Sequence, residues 1–340
     1  MKTIDLRSDT ITQPVAEMKQ AMFAAQLGDD VYGEDPTVNM LEKKAAALLG
    51  KEDAIFCSSG TQSNLIALMA HCGRGDEYIV GQDAHTYKYE AGGAAVLGSI
   101  QPQPILFDAD GTLNLDTVKS VIKPDDHHFA KTKLLCLENT TGGKVLPLDY
   151  LLKAKDLVDE YQLAFHLDGA RLFNAVAFQK VDVKQITTAF DSISICLSKG
   201  LGAPIGSVLV ANSEIIAKAR RIRKMLGGGM RQAGMLAAAG IYALDNHLQR
   251  LDDDHHNAQA LSQGLVAIEG ITLHGCAQTN MIFVSAQRLP QLINFLADKN
   301  IIISSGKVIR LVTHLDINSD DVVKVISAVK EFYSNNRITI

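Results

Sequence analysis

The sequence predicts an α/β fold: a large domain on a mainly parallel sheet, followed by a smaller α+β C-terminal domain. Two observations predict the large domain. Short apolar runs alternate with helix-like segments up to about residue 212. The runs are apolar from end to end, as strands covered on both faces are. A third observation predicts the small domain. The chain has 340 residues, more than one core normally uses, and the alternation restarts near His256 on a smaller scale.

Taken in order, strands are expected at 53–58, 78–81, 103–107, 133–138, 164–168, 192–197 and 207–211. Helices are expected between them at 64–71, at 113–122 with Asp116 in the first turn, and at 149–161, begun by Pro147 and Asp149. Such alternation builds parallel sheets with right-handed crossovers. An amphipathic basic helix follows at 213–226, stopped by Gly227, Gly228 and Gly229. A helix rich in Ala, Leu and Met is expected at 231–251. The small unit then reads as helix, strand 281–285, helix 290–299, strand 308–312 and helix 319–333. The expected division is an N-terminal arm at 1–14 that contributes to the site, a large domain at 15–246 and a small domain at 247–340.

Composition excludes several classes. Hydrophobic residues make up 47% and charged residues 21%, as in ordinary globular chains. The net charge of −5 disfavours nucleic acid as a partner, since its binders cluster Lys and Arg. The five cysteines include no CxxC pair, and Cys57, Cys136 and Cys196 sit in strand-like runs, so buried reduced thiols are expected. The N-terminus has no apolar signal region and no apolar run reaches a membrane span, so the expectation is a cytoplasmic protein with no membrane partner.

Four features carry chemistry. Lys199 follows an apolar strand in LSKGLGAPIG, at the strand edge where open α/β sheets bind ligands. Leu197, Leu201 and Pro204 would partly desolvate its amine and favour Schiff-base chemistry. Asp168 ends another strand, in HLDGAR, one crossover upstream. A pyridoxal 5'-phosphate (PLP) site needs this pair: an amine for the aldehyde and a carboxylate for the pyridine nitrogen. In CSSGTQSNL a strand feeds a loop that opens a helix. Helix N-termini bind phosphate, Ser59 and Thr61 add hydroxyls, and Gly60 lets the backbone come close. His85 follows a strand and offers a flat ring. Each feature alone is commonplace; their agreement on strand tips is not. Asp125–His128 and Asp252–His256 offer metal-ligand side chains, but sequence neighbours rarely converge on one ion, so no catalytic metal is expected.

The motifs LRSDT (6–10), GDDVYGEDPTV (28–38), SSGTQSNL (58–65), HLDGAR (166–171), LSKGLGAPIG (197–206) and GGGMRQAG (227–234) resemble the low-specificity L-threonine aldolase family, within the fold-type I PLP-dependent lyases. The resemblance runs from residue 3 to about 332. It implies retro-aldol cleavage of L-threonine and L-allo-threonine to glycine and acetaldehyde, with tolerance for other β-hydroxy-α-amino acids. It implies that Lys199 carries PLP as a Schiff base, that Asp168 holds the pyridine nitrogen and that His85 stacks on the ring. Ser59, Gly60, Thr61 and Asn64 would belong to the phosphate-loop region, with Ser198 a further cofactor neighbour. Ser8, Arg171 and Arg310 would hold the substrate carboxylate, as paired guanidinium forks do well. His85 and His128 are the candidates for acting on the β-hydroxyl, and Tyr89 is a pocket wall. Arg231 would come from a neighbouring subunit to the phosphate, so a homotetramer with active sites at its interfaces is expected.

Overall fold

The computed structural model describes residues 2–335. Its strands are β1 (Ile4–Asp5), β2 (Asp53–Cys57), β3 (Asp76–Gly81), β4 (Gln101–Ile105), β5 (Lys131–Glu138), β6 (Ala164–Gly169), β7 (Ser192–Cys196), β8 (Ser207–Ala211), β9 (Ile271–Leu273), β10 (Met281–Ala286), β11 (Ile301–Ile302) and β12 (Ile309–Val312). Seven form one sheet in the order β2-β8-β7-β6-β5-β3-β4. From β4 to β7 every pairing is parallel, and β8 runs against both β7 and β2. The carboxyl ends of β2, β3, β5, β6 and β7 therefore share one edge. β7 (SISIC) and β8 (SVLVA) are buried at every residue, as their unbroken apolar sequence requires.

Helices Pro36–Leu49, Leu148–Glu160 and Gly234–Asn246 bury Leu41, Leu151 and Ala237 in the main core against Phe56, Phe165 and Ile195 of the sheet. A separate core joins β9, β10 and β12 to helices Leu251–Val266, Leu289–Ala297 and Ser319–Asn335. Ile4 and Leu6 enter that second core, because β1 pairs with β11. Thus the N-terminal segment crosses from the C-terminal unit toward the sheet edge. Among the described residues no helix is long and apolar enough to cross a membrane.

The acidic motif at 28–38 is a lock. Asp29 caps a short helix at Asp30–Tyr32, and Asp35 caps Pro36–Leu49 through the N–H groups of Thr37 and Val38. The other Asp35 oxygen accepts from Gly234 at 2.8 Å, and Asp30 pairs with buried Arg223 at 2.7 Å.

Two expected elements differ. The strand expected at 103–107 lies at Gln101–Ile105. Pro102 and Pro104 are tolerated there because β4 is an edge strand. Phe107 instead turns into the space beside Gly81, whose Cβ would lie 2.0 Å from its ring. The helix expected at 231–251 ends at Asn246, and the helix that opens the small unit begins already at Leu251, before the expected start near His256. Side chains in the break face the Lys199 turn. His247 Nδ1–H donates to Leu201 O at 2.7 Å, and Arg250 donates to Gly200 O at 3.2 Å.

Candidate active site

A cavity of about 870 Å³ opens at the shared edge, lined by Lys199, His85, Glu138, Arg171, Arg310 and Ser8 among others. Lys199 sits in a tight turn after β7, closed by Gly202 N–H on Lys199 O at 2.8 Å. Asp168, at the end of β6, is 2% exposed and stands beside Ser194 of β7. Both charges reach the same neighbours: His85 and Glu138 each feel Asp168 and Lys199. The amine and the carboxylate thus lie near the same two side chains.

Asp168 is held in place by the chain itself. Ala170 N–H donates to Oδ1 at 3.0 Å, and Asn64 Nδ2 donates to Oδ2 at 2.9 Å. Asn64 was expected near phosphate. It lies instead one turn into helix Gly60–His71, 1% exposed, and its amide also donates to Glu90 Oε1 at 2.9 Å. His85 Nδ1 lies 2.8 Å from the same Glu90 oxygen. The side-chain ligand atoms of His85, Glu90 and Asp168 fall within 4.8 Å of one another, as a metal site's would. The neutral Asn64 amide gives each of the two carboxylates one hydrogen bond.

Glu90 and Glu138 were not anticipated. Glu138 ends β5 in register with Asp168, and Oε2 accepts the His85 backbone N–H at 2.7 Å. Burial, reinforced by the Asp168 charge, raises Glu138 to about 7. Burial likewise raises Glu90, against the opposing hydrogen bond from His85. His85 is raised by its bond to Glu90, although burial works against it.

The other wall is cationic. Arg171 grips Asp9 with two bonds, Nε at 2.7 Å and Nη2 at 2.5 Å. Burial alone would raise Asp9, but the Arg171 guanidinium holds it at about 2. Arg310 bonds Arg7 O at 3.2 Å, and among the described residues no carboxylate lies within ion-pair distance of it. Desolvation, then repulsion from Arg171, lowers its pKa. Arg171 therefore has a resident carboxylate partner, whereas Arg310 has none among the described residues. Ser8 caps the short helix Asp9–Ile11 and also lines the cavity, and Tyr89, 62% exposed, stands at its mouth.

At the start of helix Gly60–His71, Ser59 Oγ accepts Gln62 N–H at 3.1 Å. Among the described residues the N–H groups of Gly60 and Thr61 have no partner, and Ser59 and Thr61 are exposed. The glycine loop packs here: a Cβ on Gly228 would lie 2.2 Å from Gln62 Nε2. Ser198 contacts Cys196 Sγ at 3.4 Å. Ser59, Gly60, Thr61, Asn64, Asp168 and Ser198 stand outside the cavity's lining, and so do Arg231 and His128. Arg231 is 52% exposed and pairs with Asp29 at 2.8 Å. His128 is 70% exposed on a loop, bonded to Asp126 at 2.7 Å. Asp126, His127 and His128, despite adjacency, do bring ligand atoms within 4.8 Å of one another, because the loop folds both imidazoles over one carboxylate. In the other acidic run, Asp254 pairs with Arg250 and His255 bonds Asn174.

The beta-eliminating lyase family profile matches residues 5–287. The chain is 56% identical to the low specificity L-threonine aldolase of Escherichia coli (strain K12), over 95% of this chain and 97% of that one. It is 42% identical to a probable low-specificity L-threonine aldolase 2 of Arabidopsis thaliana, over 98% of each. A threonine aldolase of Leishmania major superposes with a TM-score of 0.85 at 22% identity, over 97% of this chain and 99% of that one. A serine palmitoyltransferase of Sphingomonas wittichii superposes at 0.76 with 20% identity, over 97% of this chain and 87% of that one. Likeness at that identity shows the fold alone, and that fold serves more than one reaction.

Proposed function

The chain belongs to the beta-eliminating lyase family, and on that premise we propose that it cleaves L-threonine and L-allo-threonine to glycine and acetaldehyde, with tolerance for other β-hydroxy-α-amino acids. It is a PLP-dependent carbon–carbon lyase of fold type I. The observation that carries the reading is the meeting of a lysine amine, an imidazole and an arginine without a carboxylate partner in one cavity.

The residues fit PLP. Lys199 would hold its aldehyde carbon, Asp168 its pyridine nitrogen, and Ser59 with the free N–H groups of Gly60 and Thr61 its phosphate. Bound there, the cofactor supplies an electron sink for the pair released from the Cα–Cβ bond. Everything else falls to the chain. The Asn64 amide keeps the Asp168 carboxylate in place, and Arg310 with Ser8 binds the substrate carboxylate. Arg171, held in orientation by Asp9, shares that substrate carboxylate. His85 or His128 takes the proton from the β-hydroxyl oxygen.

The proposed assembly is a homotetramer with sites at its interfaces. The exposed positions of Arg231 and His128, and of Tyr32 and Met225 at 75% and 66% exposure, support it. The division into arm, large domain and small domain at 14 and 246 is supported by the two separate cores and by the helix break. Buried, unpaired Cys57, Cys72, Cys136 and Cys196 support a reducing, cytoplasmic location. The test is product analysis with L-threonine. Acetaldehyde and glycine are expected; pyruvate with ammonia would overturn the reaction.

A further inference from the structure

His85 is held at two atoms by two carboxylates from different parts of the chain, buried Glu90 and half-buried Glu138. Its backbone N–H donates to Glu138 Oε2 of β5 at 2.7 Å, and its ring Nδ1 lies 2.8 Å from Glu90 Oε1. Glu90 is 3% exposed in its side chain, whereas His85 is 41% exposed and lines the cavity. The ring therefore has a fixed inner edge and a free outer one.

The Asn64 amide settles which atoms carry hydrogen. Its Nδ2 meets two carboxylate oxygens, Glu90 Oε1 and Asp168 Oδ2, each at 2.9 Å. Only an NH₂ group satisfies two acceptors, so Asn64 Oδ1 must face His166, whose Nε2 lies 3.3 Å away. An ionised carboxylate accepts and never donates. Glu90 can then bond His85 only if Nδ1 bears the hydrogen, and a neutral imidazole so arranged has its lone pair on Nε2.

We propose that Glu90 is a positioning residue that holds the Nδ1–H of His85 and so presents a proton-accepting Nε2 to the substrate's β-hydroxyl. The proposal rests on the aldol-cleavage reading above and names the base in it. One proton moves, from the hydroxyl oxygen to Nε2, as the carbonyl of the leaving aldehyde forms. Glu90 stays ionised and stabilises the imidazolium that results. The groups facing His85 are Glu90 and Tyr89 from its own loop, Glu138 from β5, Asp168 from β6 and Lys199 from the turn after β7.

The test uses the loaded enzyme. Nitrogen-15 NMR of His85 in the native protein should report a hydrogen on Nδ1 in the neutral ring. Glu90→Gln keeps the shape but can place an N–H against Nδ1, which moves the ring hydrogen to Nε2. The kcat should fall by about 10²- to 10⁴-fold, the range set by reversing a catalytic histidine's tautomer. The acid limb of the pH profile should move to lower pH, while KM and cofactor absorbance stay unchanged. Glu90→Asp should recover part of the loss. Native-like kcat and pH profile in Glu90→Gln, or an Nε2-protonated neutral ring in the native protein, would overturn the proposal. The native tautomer needs no variant, so a misfolded variant does not protect the idea. If native enzyme released no acetaldehyde, the reaction assigned above would fail while the tautomer result stood.

Discussion

The two ends of the site are built differently. At the sheet edge, three charged groups are held by other parts of the same chain: Asp168 by Asn64, His85 by Glu90 and Glu138, Arg171 by Asp9. At the helix start, Ser59 and Thr61 face solvent, two N–H groups are free, and Arg231 stands exposed on Asp29. The difference teaches where the chain is self-sufficient. The end proposed to handle bond-breaking has Asp168, His85 and Arg171 oriented within one protomer, which limits the rearrangement of dipoles a reaction there would need. The end that would hold phosphate is only half walled.

The largest effect should come from the preorganised end. Lys199→Ala should lower turnover by about 10⁴-fold or more, the usual cost of deleting an enzyme's covalent nucleophile, measured as acetaldehyde release. Equilibrium dialysis should still find cofactor held without a covalent bond, because the other contacts remain. Near-native turnover would show that another amine serves. Asp168→Ala should cost about 10²- to 10³-fold in kcat, the scale of a lost electrostatic stabiliser, and should also weaken cofactor binding. Unchanged kinetics would leave Glu90 or Glu138 as the working carboxylate.

Much of the sheet edge was legible. Asp168 and Lys199 each end an apolar strand, and a polar residue there signals a ligand edge. Glu138 gives the same signal at the end of LLCLE, in register with Asp168, and was readable by that rule. Glu90 was not. It lies in a loop, YEAGG, and only the fold brings it to His85 and Asn64. Asn64 was read from its place in a phosphate-type loop, but a helix turns it back toward the sheet interior. The break between Asn246 and Leu251 was hidden by strong helix formers on both sides. The residues in it bond the Lys199 turn, a tertiary demand that overrides local propensity.

A smaller effect, on stability rather than rate, probes the wall between the two ends. Asp9→Asn leaves the buried Arg171 guanidinium without its anion, which should cost about 3–5 kcal/mol in urea unfolding. The pH dependence has a definite sign. Asp9 is depressed to about 2 from 3.8, so its contribution is fully present above 3.8 and is lost as pH falls through about 2. That loss should amount to about 2 kcal/mol, and the Asn variant should lack it. Equal acid sensitivity in both proteins would mean that other carboxylates govern acid unfolding.

The smallest effect tests the open end most directly. Arg231 makes one ion pair on the surface of its own protomer, and exposed pairs contribute little. If Arg231 did no more than this, Arg231→Ala would change neither stability nor cofactor affinity measurably. If a second copy brings it to the phosphate, the lost charge-assisted bond should weaken cofactor affinity by about 10- to 100-fold. The kcat at saturating cofactor should stay near native, because Lys199, Asp168 and His85 are untouched. Dialysis and sedimentation on the same sample separate the cases. A weakened cofactor with an intact assembly places Arg231 across the interface, and unchanged affinity makes the pair with Asp29 its whole role.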